Sequence, residues 1–172
     1  MEPTGDAMKR IATLGGVKVT LAAFKANLEN QECTVQALDT LAVLSSNDDL
    51  STMIADSGMH IIMESADIYK DDPTFLTDVF KLLGHLAFVV TNLKVIVQYG
   101  GIALIVNSIC THPESRLLMM RSIQTLENIA MASDEHAQIV IQEGGKECIV
   151  EVRSAYSDDE EIMEKADAAL IR

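Results

Sequence analysis

Apolar residues recur at helical spacing along nearly the whole chain, in units that each follow a glycine site. The glycine sites are Gly15-Gly16, Ser57-Gly58, Gly100-Gly101 and Gly144-Gly145, at intervals of 42, 43 and 44 residues. After them come Val17, Leu21 and Phe24, then Met59, Ile62, Met63 and Ala66, then Ile102, Ile105, Val106 and Ile109, and finally Ile149 and Val150. Steps of three and four place such residues on one helical face. A second helical block follows in each of the first three units: Leu38, Leu41, Ala42; Leu83, Leu86, Ala87; Leu126, Ile129, Ala130. An apolar pair precedes each next glycine: Met53-Ile54, Ile96-Val97 and Val140-Ile141. The glycines are therefore expected to end one long helix and open the next unit, because glycine accepts φ > 0 just after a helix C-terminus.

Polar breaks separate the two blocks at 29–32, 70–73, 111–115 and 157–161, and each reads as a helix start. Asp72 before Pro73 is an N-cap followed by proline at the first helical position. His112-Pro113-Glu114 repeats the proline placement, and Ser157 can cap a last helix whose acidic run 158–161 suits the positive end of its dipole. That run lacks the alternating ligands and central glycine of a calcium loop. A period of 42 to 44 residues with two or three helices per unit is the mark of armadillo or HEAT arrays.

The chain resembles the armadillo-repeat family in particular. The family pattern opens on paired glycine and an aliphatic residue and carries an Ala-Leu-x-Asn-Leu-Ala-like stretch in its third helix. Here that stretch reads Ala37-Leu38-Asp39-Thr40-Leu41-Ala42, Leu82-Leu83-Gly84-His85-Leu86-Ala87 and Thr125-Leu126-Glu127-Asn128-Ile129-Ala130. The resemblance covers residues 9 to 172 and implies an all-α fold, a right-handed α-solenoid of about three full repeats with partial repeats at its ends. The expected division is 1–14 as the tail of a preceding repeat or an N-terminal cap, repeats at 15–56, 57–99 and 100–143, and a partial fourth repeat at 144–172. Ile11 and Leu14 are expected to belong to a preceding helix, and the last helix is expected to be cut near its middle. Ile162, Met163, Ala166, Ala169 and Leu170 would then form an uncovered apolar stripe, an expected source of weak homo-association through the end repeats.

Composition narrows the function classes. Hydrophobic residues make up 48% and charged residues 23% of the chain, and the apolar runs are far shorter than the ~20 residues that a membrane span needs. No membrane insertion is expected. The segment 1–10 has no apolar core, so no secretory signal is expected either. The net charge of −13 argues against nucleic acid as a ligand. Three unclustered cysteines, Cys33, Cys110 and Cys148, read as free thiols of a reducing compartment. The expected location is cytoplasmic, with nuclear or cytoskeletal sites compatible. There is no G-x-S-x-G, P-loop, H-E-x-x-H or C-x-x-C, and the four histidines are scattered. Cys110 and His112 are close, but two ligands do not make a zinc site. No catalytic, cofactor or metal residue is therefore assigned, and the chain is not expected to be an enzyme.

The resemblance implies a groove lined by third helices that grips an extended peptide, often through an Asn that bonds the ligand backbone. That Asn position is matched at Asn128, with Thr40 and His85 in its place in the first two units. With Leu126, Ile129 and Ala130 facing the core, Arg121, Gln124, Asn128 and Met131 should face outward. Aligning the units gives three rows: Gln36–Lys81–Gln124, Thr40–His85–Asn128 and Val43–Phe88–Met131. A polar double row beside an apolar row can hold a peptide backbone and bury alternate side chains. The expected function is a scaffold or adaptor that binds a peptide or helical segment of a protein partner. The alternative is an architectural segment of a longer solenoid acting through end-to-end association. Gly84, inside an apparent helix, permits either close packing or close approach of a ligand backbone.

Overall fold

The computed structural model describes residues 10–170. Residues 1–9 of the expected 1–14 tail or cap, and the last two residues, lie outside the described residues. Among those described there is no strand, and after a helical turn at 10–13 ten helices follow. They are α1 (Gly16–Ala26), α2 (Gln31–Leu44), α3 (Asp48–Ile68), α4 (Pro73–Leu86), α5 (Val90–Gln98), α6 (Gly101–Thr111), α7 (Arg116–Ala130), α8 (Asp134–Gln142), α9 (Gly145–Ala155) and α10 (Glu160–Leu170). The expected long helices are thus broken in two by three-residue turns, at 45–47, 87–89 and 131–133. No single described helix is long and apolar enough to cross a membrane; α5 and α6 pass only as a pair, bent by 65°.

The helix starts follow local chemistry. Asn30, Asn47 and Ser133 accept bonds from the third amide beyond them, at Cys33, Leu50 and His136. Asp72 accepts from Thr74 and Phe75, with Pro73 opening the helix as expected. Two expected starts move. Pro113 lies in a turn and α7 begins after Ser115, without a side-chain cap. Asp159, not Ser157, caps α10 by accepting from the Ile162 amide at 3.1 Å. Asp159 also takes the Arg116 guanidinium at 2.5 Å, and Glu161 takes it at 2.8 Å.

Gly100 has φ 76°, and its counterparts Gly15 (76°) and Gly144 (84°) share the left-handed region, so the chain turns between a short helix and the next. The second glycine of each pair serves proximity: a Cβ on Gly101 would sit 2.7 Å from the Ile96 side chain and 3.0 Å from its carbonyl oxygen. The expected break at Ser57-Gly58 is absent, and α3 runs through it for 21 residues. Ser57 stands where the other sites have the left-handed glycine, and a left-handed L-residue costs roughly 1–2 kcal/mol. Gly58 is instead a crossing point, since a Cβ there would come within 2.6 Å of Leu21 on α1.

The helices stack unit upon unit. α2 packs on α4, α4 on α7 and α7 on α10; behind them α1 packs on α3 and α6 on α9. The core runs between these layers through the fully buried Leu41, Ile62, Phe75, Phe80, Leu83, Ile105, Ile123 and Ile129. A hydrogen-bond ladder ties the units together. Tyr69 OH donates to the Leu28 carbonyl at 2.9 Å, His112 Nε2 contacts the Lys70 carbonyl at 2.7 Å, and Tyr156 OH donates to the Pro113 carbonyl at 2.7 Å. Each donor is the C-cap residue of α3, α6 or α9, and each acceptor lies in the corresponding turn of the unit before. The apolar stripe expected to be uncovered on α10 is largely covered within the chain. Ile162 and Ala166 are fully buried, and Met163, Ala169 and Leu170 are partly buried, because α10 packs on α7 and α9. At the other end Val17 and Leu21 are buried, Ile11 is half-buried and Leu14 is exposed.

Candidate functional site

The four helices α2, α4, α7 and α10 form one face, and their caps fix its register. Counted from Asn30, Asp72, Ser115 and Asp159, the residues Gln36, Asp78, Arg121 and Lys165 stand level. So do Asp39, Lys81 and Gln124, then Val43, His85 and Asn128, and at the following turns Ser46, Phe88 and Met131. Two equivalent contacts agree with this register. His85 Nδ1 lies 3.2 Å from the Ala42 carbonyl, and Asn128 Nδ2 donates to the Gly84 carbonyl at 3.3 Å. Ala42 and Gly84 are themselves level.

The expected rows hold between the second and third units and slip by one turn in the first. Lys81–Gln124, His85–Asn128 and Phe88–Met131 are level pairs. Gln36 stands level with Asp78, and Thr40 with Leu82 and Thr125. Val43, not Thr40, takes the position of His85 and Asn128. The cause is the helix period: apolar residues recur every three or four positions, so Leu38–Leu41–Ala42 matches Leu83–Leu86–Ala87 equally well one turn out. Thr40 bonds back to the Gln36 carbonyl of its own helix at 2.7 Å.

Six of the ten expected groove residues line one cleft of about 300 Å³ between α4 and α7: Lys81, His85, Phe88, Arg121, Gln124 and Asn128. Its floor is Phe80, Gly84 and Thr125. Gly84 is a packing glycine, since a Cβ would stand 3.1 Å from Thr125 Oγ1 and 3.7 Å from Asn128 Nδ2. Thr125 in turn donates to the Phe80 carbonyl at 3.0 Å, which pins α7 to α4. The apolar residues around the cleft are open: Val43 is 52% exposed, Phe88 73% and Met131 54%.

The polar side chains form a connected set. Lys81 pairs with Asp39 at 2.9 Å, Lys165 donates to Gln124 Oε1 at 2.9 Å, and Gln124 Nε2 donates to Asn128 Oδ1 at 3.2 Å and Glu127 at 3.3 Å. The His85 ring faces a carbonyl, which only accepts, so its Nδ1 donates there and Nε2 is left for another bond. Asn128 keeps one N–H and one lone pair beyond these bonds. Asp78, unnoticed in the sequence, sits between the charged rows. Burial and the nearby Asp39 push its carboxyl above the usual range, against the pull of Lys81 and Arg121. No sequence motif marks it; only the corrected register brings it level with Arg121. Donors, acceptors and apolar surface stand together here, but no nucleophile with an adjacent base does.

The comparisons with known proteins agree with this architecture. A family profile described as the GAC ARM domain matches residues 5–170. No curated protein matches the sequence significantly. Among solved structures, one engineered protein is 20% identical with a TM-score of 0.83, covering 98% of this chain and 68% of its own. A second engineered protein is 23% identical with a TM-score of 0.83, covering 98% and 66%. A designed armadillo repeat protein is 15% identical with a TM-score of 0.81, covering 96% and 67%. At these identities the likeness carries the fold alone, and the chain spans about two thirds of the length of these structures. The stacked three-helix units, the glycine turns and the profile match together show that the chain belongs to the GAC ARM domain family, an armadillo-repeat α-solenoid whose fold is in general a protein-interaction scaffold.

Proposed function

We propose that this domain binds an extended segment of a protein partner along the face of α2, α4 and α7. The observation that carries this reading is the cleft between α4 and α7, where Phe88, 73% exposed, stands beside His85, Gln124 and Asn128, which retain hydrogen-bonding capacity. An extended peptide offers an N–H and a C=O at every residue, which the amides can take, and side chains that Phe88 and Met131 can cover. The repeat boundaries 15–56, 57–99, 100–143 and 144–172, and a cytoplasmic location, belong to the same proposal. The location rests on the odd number of cysteines.

The test is selection of binders from a displayed random-peptide library, followed by affinity measurement against variants. Phe88→Asp is expected to weaken selected peptides by about 30-fold, the scale of a hot-spot contact of roughly 2 kcal/mol. Asn128→Ala should weaken them about 2- to 10-fold, one hydrogen bond's worth. Val150→Asp, on the exposed surface of α9, should change nothing. The architectural alternative, association through end units, predicts the reverse order, with Val150→Asp or Leu14→Asp disruptive and the groove variants silent.

A further inference from the structure

We propose that Cys110, Cys148 and Glu151 form a binding site for a thiophilic divalent cation of the zinc class, bridging α6 and α9. Cys110 lies near the end of α6, Cys148 in the first turn of α9, and Glu151 one turn further on the same face. The two sulfurs stand 4.0 Å apart, and one ligand atom from each of the three residues lies within 4.8 Å of the others. Two thiolates on a tetrahedral zinc at about 2.3 Å each are separated by about 3.8 Å, so the sulfurs need move only slightly. Cys148 is buried while Cys110 and Glu151 are exposed, and a cleft of about 220 Å³ lined by Cys110, Glu151 and Tyr156 opens onto the site. That cleft gives an entry path and room for water or a partner's side chain as fourth ligand.

A dication there would bind both sulfurs as thiolates and the carboxylate directly, with the two thiol protons released to solvent. His112, close to Cys110 in sequence, is committed to the Lys70 carbonyl, and Cys33 stands apart on α2.

The test is titration of the full chain, reduced with a phosphine and freed of metal, with cobalt(II). A thiolate-to-cobalt charge-transfer band saturating at one equivalent is expected, and zinc should abolish it by displacement. Loss of an outer-shell group alone costs about 10- to 100-fold in metal affinity, so Cys110→Ser should cost at least about 100-fold and Glu151→Gln at least about 10-fold. Cys110 is exposed, so its replacement leaves the core intact should Cys148→Ser fail to fold. Absence of the band, an unchanged cobalt affinity in Cys110→Ser or in Glu151→Gln, or loss of the band in Cys33→Ser would each overturn the site.

Discussion

At the scale of the residue, Gly84 shows how the groove floor is set. An alanine in a helix interior is about 1 kcal/mol better than glycine. Here the new Cβ would press on Thr125 Oγ1, whose residue is buried and whose single hydroxyl proton lies within bonding distance of the Phe80 and Arg121 carbonyls. Gly84→Ala is therefore expected to destabilise by about 1 kcal/mol or more, the usual scale of a strained core. In a Thr125→Ala background the same change should become neutral or stabilising, since the obstructing oxygen is gone. Urea unfolding of the four-member cycle measures the coupling. Asn128 was legible in the sequence because its motif is intact, and its outward position follows from Leu126 and Ile129 facing inward. Thr40 was misplaced because a helical apolar pattern matches itself one turn out, and only the Asn30 cap removes that ambiguity. Asp78 carried no signal, since a single acid on a helix looks the same whether it faces solvent or a row of charges.

At the scale of the element, caps and glycines decide where helices begin and end. Asp72 illustrates both stability and pH dependence. Burial alone would raise its pKa, but bonds from the Phe75 amide, the Gln31 side chain and the Thr74 amide outweigh that and hold it below its usual 3.8. Its stabilisation is thus fully present above that usual value and is lost as pH falls through the lowered one. Asp72→Ala is expected to cost about 1 kcal/mol at neutral pH, as cap deletions do. The cost should shrink on acidification toward and below pH ~3.8, because the protonated cap has already lost that contribution. Chemical unfolding at neutral and acidic pH checks this. The Asp72-Pro73 start was legible because cap and proline agree. Pro113 and Ser157 were misleading: Pro113 sits in a turn and the helix opens three residues later without a side-chain cap, while Asp159 caps in place of Ser157. Ser57-Gly58 was misread for a different reason: glycine can serve a left-handed turn or a close crossing, and only the contact with Leu21 separates the two.

At the scale of the molecule, the period binds one unit to the next. The ladder of Tyr69, His112 and Tyr156 repeats one interaction at three junctions with two different side chains, which is why no sequence pattern disclosed it. Tyr69→Phe and Tyr156→Phe should each cost roughly 0.5–1.5 kcal/mol, a typical hydrogen bond. The two junctions are separate, so the costs should add in the double variant; thermal or urea unfolding reads the sum. The net charge of −13 is not a property of the groove. There Asp39 and Asp78 are matched by Lys81 and Arg121, so charge there favours neither sign of ligand and orientation falls to the amides and to Phe88. The groove claim is tested most directly by adding a library-selected peptide to isotope-labelled protein and mapping amide and side-chain NMR shifts. Perturbations concentrated at Lys81, His85, Phe88, Gln124 and Asn128, and absent from Phe88→Asp, are the expected result. Perturbations confined to α6 and α9, or to Leu14 and the end units, with Phe88 unmoved, would contradict it.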